Sequence, residues 1–136
     1  MGTSSNVDLV LRAFDAVNSR DIHALAEVTH EDMTFYPAFT GGGLLEGAVW
    51  RGHAGFVEFL AEQDETWSDI SFTVEDARDV GDRVLTRNSI HVVGRESGVD
   101  LQQTSWGVFR IDDGRISEGR IFATEAEATQ AAGVPG

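Results

Sequence analysis

Residues 107–116 read Gly107-Val108-Phe109-Arg110-Ile111-Asp112-Asp113-Gly114-Arg115-Ile116. A run rich in β-formers reaches Asp112 and another resumes after Gly114. An Asp-Gly step between two such runs signals a hairpin, because glycine accepts positive φ at little cost. The stretch predicts strands over 99–111 and 115–123. Towards the N terminus, Glu96-Ser97-Gly98 and Val80-Gly81-Asp82 bound another strand, over 82–95. Before it, Ile70, Phe72 and Val74 alternate with Asp69, Ser71, Thr73 and Glu75, the period of a strand with one buried face. Consecutive hairpins make an antiparallel meander.

The first half has helical period instead. Ser5-Asn6-Val7-Asp8 has the form of a capping box, and Val10, Ala13, Phe14 and Val17 follow at i, i+3, i+4 and i+7, predicting a helix over 6–19. Asp21 caps a short second helix carrying Ile22, Leu25 and Val28; Thr29-His30-Glu31-Asp32 reads as a turn and Met33–Phe39 as a strand. Thr40–Gly47 reads as a glycine-rich flap, without the Lys-Ser/Thr of a phosphate-binding loop. Phe56, Phe59, Leu60, Gln63 and Trp67 predict a third helix over 53–67. Thr124-Glu125-Ala126-Glu127 is a second capping box, opening an Ala-rich helix closed by Gly133 and Pro135. Without repeat or linker, residues 1–136 form a single α+β domain, helices first and a curled sheet afterwards.

Composition narrows the function. The 136 residues carry 10 Lys+Arg against 23 Asp+Glu, a net charge of −13, and no cysteine. The charge argues against nucleic-acid and anionic-membrane partners, which need clustered cations. Absent thiols exclude disulfides, thiolate metal sites and cysteine nucleophiles. The start, Met1–Val10, has no basic region and no apolar run of signal-peptide length, which points to a cytoplasmic protein. No histidine pair has HxxxH or HExxH spacing, so no metal is expected.

Local strings then resemble a known group: Arg12-Ala13-Phe14-Asp15-Ala16-Val17-Asn18, Arg51-Gly52-His53, the 107–116 stretch and Glu127-Ala128-Thr129-Gln130-Ala131-Ala132-Gly133. Together they look like the SnoaL-like branch of the nuclear-transport-factor-2-like superfamily. The resemblance implies a cone-shaped fold, with N-terminal helices packed in a curved antiparallel sheet around a deep pocket, and often a homodimer. It implies no single reaction, since the superfamily includes cyclases, isomerases, epoxide hydrolases, dehydratases and transport factors. Where ketosteroid isomerases place a Tyr, a base Asp and an oxyanion-binding Asp, this chain has Ala13, Pro37 and Gly107. Where limonene-type epoxide hydrolases place two acids, an Arg and two water-holding groups, it has Ile90, Ile121, Asn88, Phe35 and Pro37. Neither catalytic set is present, and no cyclase-type acid can be placed.

Strand parity decides what faces the pocket. One face carries Thr86, Asn88, Ile90 and Val92, then Leu101, Gln103, Ser105, Gly107 and Phe109, then Ser117, Gly119, Ile121 and Ala123, without a charge. The other carries Arg87, His91, Arg95, Glu118 and Arg120 with Val93, Trp106, Val108 and Phe122. Burying unpaired charge costs several kcal/mol, so the uncharged face turns inward. The apolar remainder outside predicts a homodimer packed sheet to sheet.

The expected ligand pocket comprises Phe14, Phe35, Pro37, Phe39, Trp50, Phe56, Phe59, Thr86, Asn88, Ile90, Gln103, Ser105 and Ile121. An apolar pocket with a few hydrogen-bonding groups suits a lipophilic molecule bearing a carbonyl or hydroxyl. Asn88 and Gln103 are the candidate catalytic residues, able to hold a carbonyl or enolate oxygen. Neither is a base, and His91 is the runner-up. Tyr36, Asp15, Glu46 and Asp64 stand near enough in sequence to approach the mouth. Alternatively the aromatics only fill the core, and the two amides satisfy each other or nearby backbone. The leading expectation is cofactor-free proton transfer on a hydrophobic small molecule, as an isomerase, cyclase or lyase. The alternative is a binding protein without turnover.

Overall fold

The computed structural model describes residues 5–37, 50–95, 98–122 and 124–133. In chain order these form α1 (Ser5–Ser19), α2 (Ile22–Val28), β1 (Thr29–Pro37), β2 (Trp50–Arg51), α3 (Gly52–Thr66), β3 (Trp67–Asp79), β4 (Arg83–Gly94), β5 (Asp100–Asp112), β6 (Arg115–Phe122) and α4 (Glu125–Ala132). The predicted flap with Glu46, Phe39 at the end of the predicted strand, and Glu96 and Ser97 lie outside the described residues.

The hairpin at 107–116 forms as its sequence requires. Asp112 faces Arg115 across a two-residue loop, and Asp113 and Gly114 both have positive φ, 51° and 75°. That is the backbone a tight hairpin asks for. From it spreads a six-stranded sheet in the order β2-β1-β6-β5-β4-β3. The last four strands are the predicted antiparallel meander. The sheet as a whole is mixed, however, because β1 joins β6 in parallel.

That junction corrects a second expectation. Thr29–Asp32 is not a turn but the start of β1. Its register jumps between Thr29, opposite Ile116, and Thr34, opposite Glu118, so residues 30–33 form an irregularity in the pairing of β1 with β6. His30 Nε2 donates to the Asp112 carbonyl at 2.6 Å, tying that stretch to the hairpin.

Two of the three helix N-caps read in the sequence are present, whereas Ser5 is already the first residue of α1 and not its cap. Asp21 accepts from Ala24 N and Thr124 from Glu127 N, and Gly133 closes α4 in the left-handed conformation. Side chains of α1, α2, α3 and the inner sheet face make one core, with Val10, Val28, Phe59, Val84, Ile90 and Val92 at most 2% exposed.

Parity falls as charge burial demands. Val84, Thr86, Asn88, Ile90 and Val92 are buried on the inner face of β4, while Arg87 is exposed. Ser117 departs from the pattern. A bulge between Arg110 and Ile111 sets Ile111 opposite Ile116, so Ile116 is buried and Ser117 bonds instead to Asp112 Oδ2 at 2.5 Å. Tyr36 also turns away from the inner face, since it lies under Arg120, whose guanidinium is 4.2 Å from the ring centroid.

The outer face is not bare. Ala128 and Ala132 of α4 pack on Leu85 and Val108, with Trp106 and Phe122 against the same cluster. Helices therefore cover both faces, and of the outer apolar residues that suggested a sheet-to-sheet dimer Trp106, Val108 and Phe122 are packed within the chain, while Val93 is not part of that cluster. No described helix is long and apolar enough to cross a membrane.

Candidate functional site

Close packing normally leaves few voids larger than a water molecule in a core. Here the space between α1, α3 and the inner sheet face keeps a cavity of about 60 Å³. Since a water needs about 10–15 Å³ on such a measure, the cavity has room for several waters or a small organic group.

Six phenylalanines line it. Phe35, Phe56 and Phe59 form one group, with centroids 5.1, 5.2 and 5.6 Å apart. Phe14 contacts Phe109 at 5.6 Å and Phe72 at 6.5 Å, edge to face in both pairs. These are favourable aromatic geometries, so the rings hold one another in place around the cavity.

Two glycines make the wall possible. A Cβ on Gly107 would stand 2.6 Å from Phe109 Cε2 and 2.8 Å from Thr86 Oγ1. A Cβ on Gly119 would stand 3.2 Å from the Phe109 ring and 3.3 Å from Phe35. Without side chains on the inner face, β5 and β6 let the Phe109 ring lie against their backbones.

Polar groups of the wall come from Thr29, Asn88 and Ser105. Thr29 Oγ1 donates to the Leu25 carbonyl at 2.8 Å and lies 2.8 Å from His53 Nε2. Asn88 Oδ1 and Ser105 Oγ are buried without a hydrogen-bond partner. The surface open to the cavity is carbon, and these two oxygens lie just beneath it. An unsatisfied buried polar atom costs about 1–3 kcal/mol. Two side by side in a core of this size call for a reason.

Of the residues expected in the pocket, Phe14, Phe35, Phe56, Phe59, Asn88, Ile90, Ser105 and Ile121 line the cavity. Thr86 shares their face but lies deeper in the sheet, its hydroxyl 3.5 Å from the Gly107 carbonyl. Gln103 stands opposite Ile90, half-buried and off the wall. It therefore does not pair with Asn88, whose cross-strand partner is Ser105. Pro37 and Trp50 are placed through their backbones, opposite Ile121 and Phe35 respectively.

His91 projects from the outer face, 2.6 Å from Asp100 Oδ1, with the sheet between it and the cavity. Asp64 is held by Arg20, whose Nε and Nη2 donate to its two oxygens at 3.1 and 2.7 Å. Those hydrogen bonds, ahead of the opposing burial effect, keep its carboxyl below the usual range. Asp15 is exposed. Among the described residues the wall itself holds no titratable side chain.

Sequence reasoning missed Thr29 because it read a turn where β1 begins, and missed Met33 although it opened the expected strand. It missed Phe72 as a wall residue although the Ile70-Phe72-Val74 stripe already faced it inward. Five of the seven positions matched to the catalytic groups of other enzymes, Ala13, Phe35, Asn88, Ile90 and Ile121, border the cavity, and Pro37 and Gly107 are not among its lining residues.

A cone of helices in a bent α+β sheet around an apolar cavity is the architecture of the nuclear-transport-factor-2-like proteins. The sequence profile of the SnoaL-like domain matches residues 10–119, and the chain belongs to that family. No curated protein matches it. Among solved structures it is similar to TerC, crystallised with polyporic acid (21% identity, 96% of this chain and 99% of that one, TM-score 0.76). A nuclear-transport-factor-2-like protein of unknown function from Burkholderia pseudomallei aligns equally well (18% identity, 94% and 97%, TM-score 0.76). IdmH from Streptomyces antibioticus, whose role as a polyketide cyclase is itself a proposal, aligns over 95% and 98% at 21% identity and TM-score 0.72. At such identities these likenesses speak for the fold alone.

Proposed function

We propose that this protein binds a hydrophobic small molecule in the cavity between its helices and sheet. The observation that carries the reading is a carbon-lined cavity kept by six phenylalanines in the middle of the larger core among the described residues. An apolar lining with a few polar groups is the ordinary lining of a small-molecule site. The family, and the small molecule crystallised with TerC, support the same reading.

Cofactor-free proton transfer of the isomerase, cyclase or lyase kind is the chemistry proposed for that molecule, with Asn88 orienting an oxygen. The likeness to IdmH favours it. Among the described residues the wall holds no base, so the nearest candidate to relay a proton is a group just behind it. His53, hydrogen-bonded to the wall residue Thr29, is such a group. Lack of a base in the wall favours the second reading, a binding protein without turnover.

Incubation with candidate ketones and polyenes separates the two. A ligand that raises the melting temperature and is converted supports the enzyme; one recovered unchanged, with Asn88→Leu altering affinity alone, supports the binder. A homodimer remains part of the proposal through the strip that α4 leaves open, where half-buried Val93 adjoins the His91–Asp100 pair. A monomer by light scattering at micromolar concentration removes it.

A further inference from the structure

Asn88 and Ser105 face each other across the β4–β5 ladder, 1% and 0% exposed. Both line the cavity, and neither Asn88 Oδ1 nor Ser105 Oγ has a partner, so they do not bond to one another. Thr29, the third polar wall residue, is already satisfied by Leu25 and His53. The other unpartnered buried side-chain atoms among the described residues, Trp67 Nε1 and Trp106 Nε1, belong to residues outside the wall. The fully buried wall atoms without a partner are thus one pair of neighbouring oxygens.

Their chemistry is restrictive. An amide oxygen only accepts, whereas a serine hydroxyl both donates and accepts. A carbonyl or ether entering the cavity would serve Ser105 and leave Asn88 Oδ1 unmet. A hydrocarbon would serve neither. A carboxylate would set its lone pairs against those of Asn88, and an ammonium would be a buried charge with no carboxylate in the described wall to balance it. One neutral hydroxyl answers both atoms, donating to Asn88 Oδ1 and accepting from Ser105 Oγ–H.

We infer that the cavity selects an apolar molecule bearing one neutral hydroxyl, a phenol or stable enol, whose O–H bridges Asn88 and Ser105. The aromatic wall favours a flat body behind that hydroxyl. This inference rests on the small-molecule reading above and narrows it, from carbonyl or hydroxyl to hydroxyl alone.

Four single-ring probes of matched shape test it: 4-ethylphenol, 4-ethyltoluene, 4-ethylanisole and 4-ethylbenzaldehyde, titrated into the isotope-labelled full chain and followed by amide NMR shifts of β4 and β5. The phenol is expected to bind at least tenfold tighter than each of the others. Ser105→Ala breaks no hydrogen bond of the free protein, and it is expected to remove most of that advantage while leaving 4-ethyltoluene unaffected. Asn88→Leu is expected to do the same; should it fail to fold, the ranking on the unaltered chain and Ser105→Ala decide. Equal affinity across the panel would overturn the inference and leave the small-molecule reading standing. Preference for the aldehyde over the phenol would also overturn it, since the amide would then be presenting its N–H₂. If none of the four binds, the small-molecule reading fails and the inference with it.

Discussion

Thr29 Oγ1 lies between the Leu25 carbonyl and His53 Nε2, 2.8 Å from each. A threonine hydroxyl has one hydrogen, and a carbonyl can only accept it, so the Leu25 contact uses that hydrogen. His53 must then donate, which fixes its neutral form as the Nε2–H tautomer. The arrangement ties the start of α3 to the end of α2 at the edge of the cavity. Long-range ¹H–¹⁵N correlation of the imidazole is expected to show Nε2 protonated and Nδ1 bare at pH above the histidine range. Thr29→Val keeps the shape and removes both bonds. It is expected to cost about 1–3 kcal/mol in urea unfolding, the price of two buried hydrogen bonds less the gain from an added methyl, and to release the tautomer. An Nδ1–H signal in the unaltered protein would contradict the geometry.

Asn18 guards the sheet's exposed edge. Its Nδ2 donates to the Phe72 carbonyl at 2.7 Å and its Oδ1 accepts from Phe72 N at 2.9 Å, so one side chain imitates a neighbouring strand at the middle of β3. Open strand edges invite pairing between molecules. Asn18→Ala is expected to lose about 1 kcal/mol, since both bonds are solvent-accessible. It is also expected to raise concentration-dependent association, measured by light scattering. Asn18→Asp retains the acceptor and loses the donor, and should lie at or beyond the alanine variant.

The sequence carried the fold further than the site, for physical reasons. Asp113-Gly114, Asp21, Thr124 and Gly133 act through their own backbone neighbourhood, so turns and caps were legible from a few residues. Inner parity of β4 was legible because Arg87 cannot be buried unpaired. Ser117 was misplaced because a bulge is a property of two strands, not of one string. The parallel β1–β6 pair and α4 on the outer face are long-range choices that no local period records. Asn88 was recognisable as a buried amide, but its partner was misread: pairing Asn88 with Ser105 rather than Gln103 depends on the β4–β5 register.

Gly107 and Gly119 serve the wall by what they lack. Gly107→Ala forces a Cβ to within 2.6 Å of Phe109 Cε2 and 2.8 Å of Thr86 Oγ1, both on buried residues. Overpacking of this kind costs about 1–3 kcal/mol, and the Phe109 ring is expected to turn into the cavity. Gly119→Ala meets the same ring at 3.2 Å, so it is expected to cost less. Unfolding of both variants, together with the 4-ethyltoluene affinity, checks the ranking. Equal, negligible losses would mean that Phe109 does not lie where the contacts place it.

Asp64 gives stability a dependence on acid. Arg20 lowers its carboxyl pKa in the folded chain by hydrogen bonding, with the charges of Arg20 and Arg95 adding to the effect. A depressed folded value means that the unfolded chain binds its proton first as pH falls. The contribution is therefore complete above the unfolded carboxylate value of about 4 and is lost as pH drops through the lower folded value. Because the Asp64 side chain is 47% exposed, solvent screening keeps the bridge near or below about 1 kcal/mol. Asp64→Asn should lower stability at pH 6 by that amount and have a shrinking effect as pH falls below the unfolded carboxylate value towards the lower folded one. Urea unfolding of both proteins across pH 2–6 measures the convergence. A difference that stays constant over the range would assign the loss to packing or to the Arg95 contact with the Asp64 backbone carbonyl, rather than to the charge.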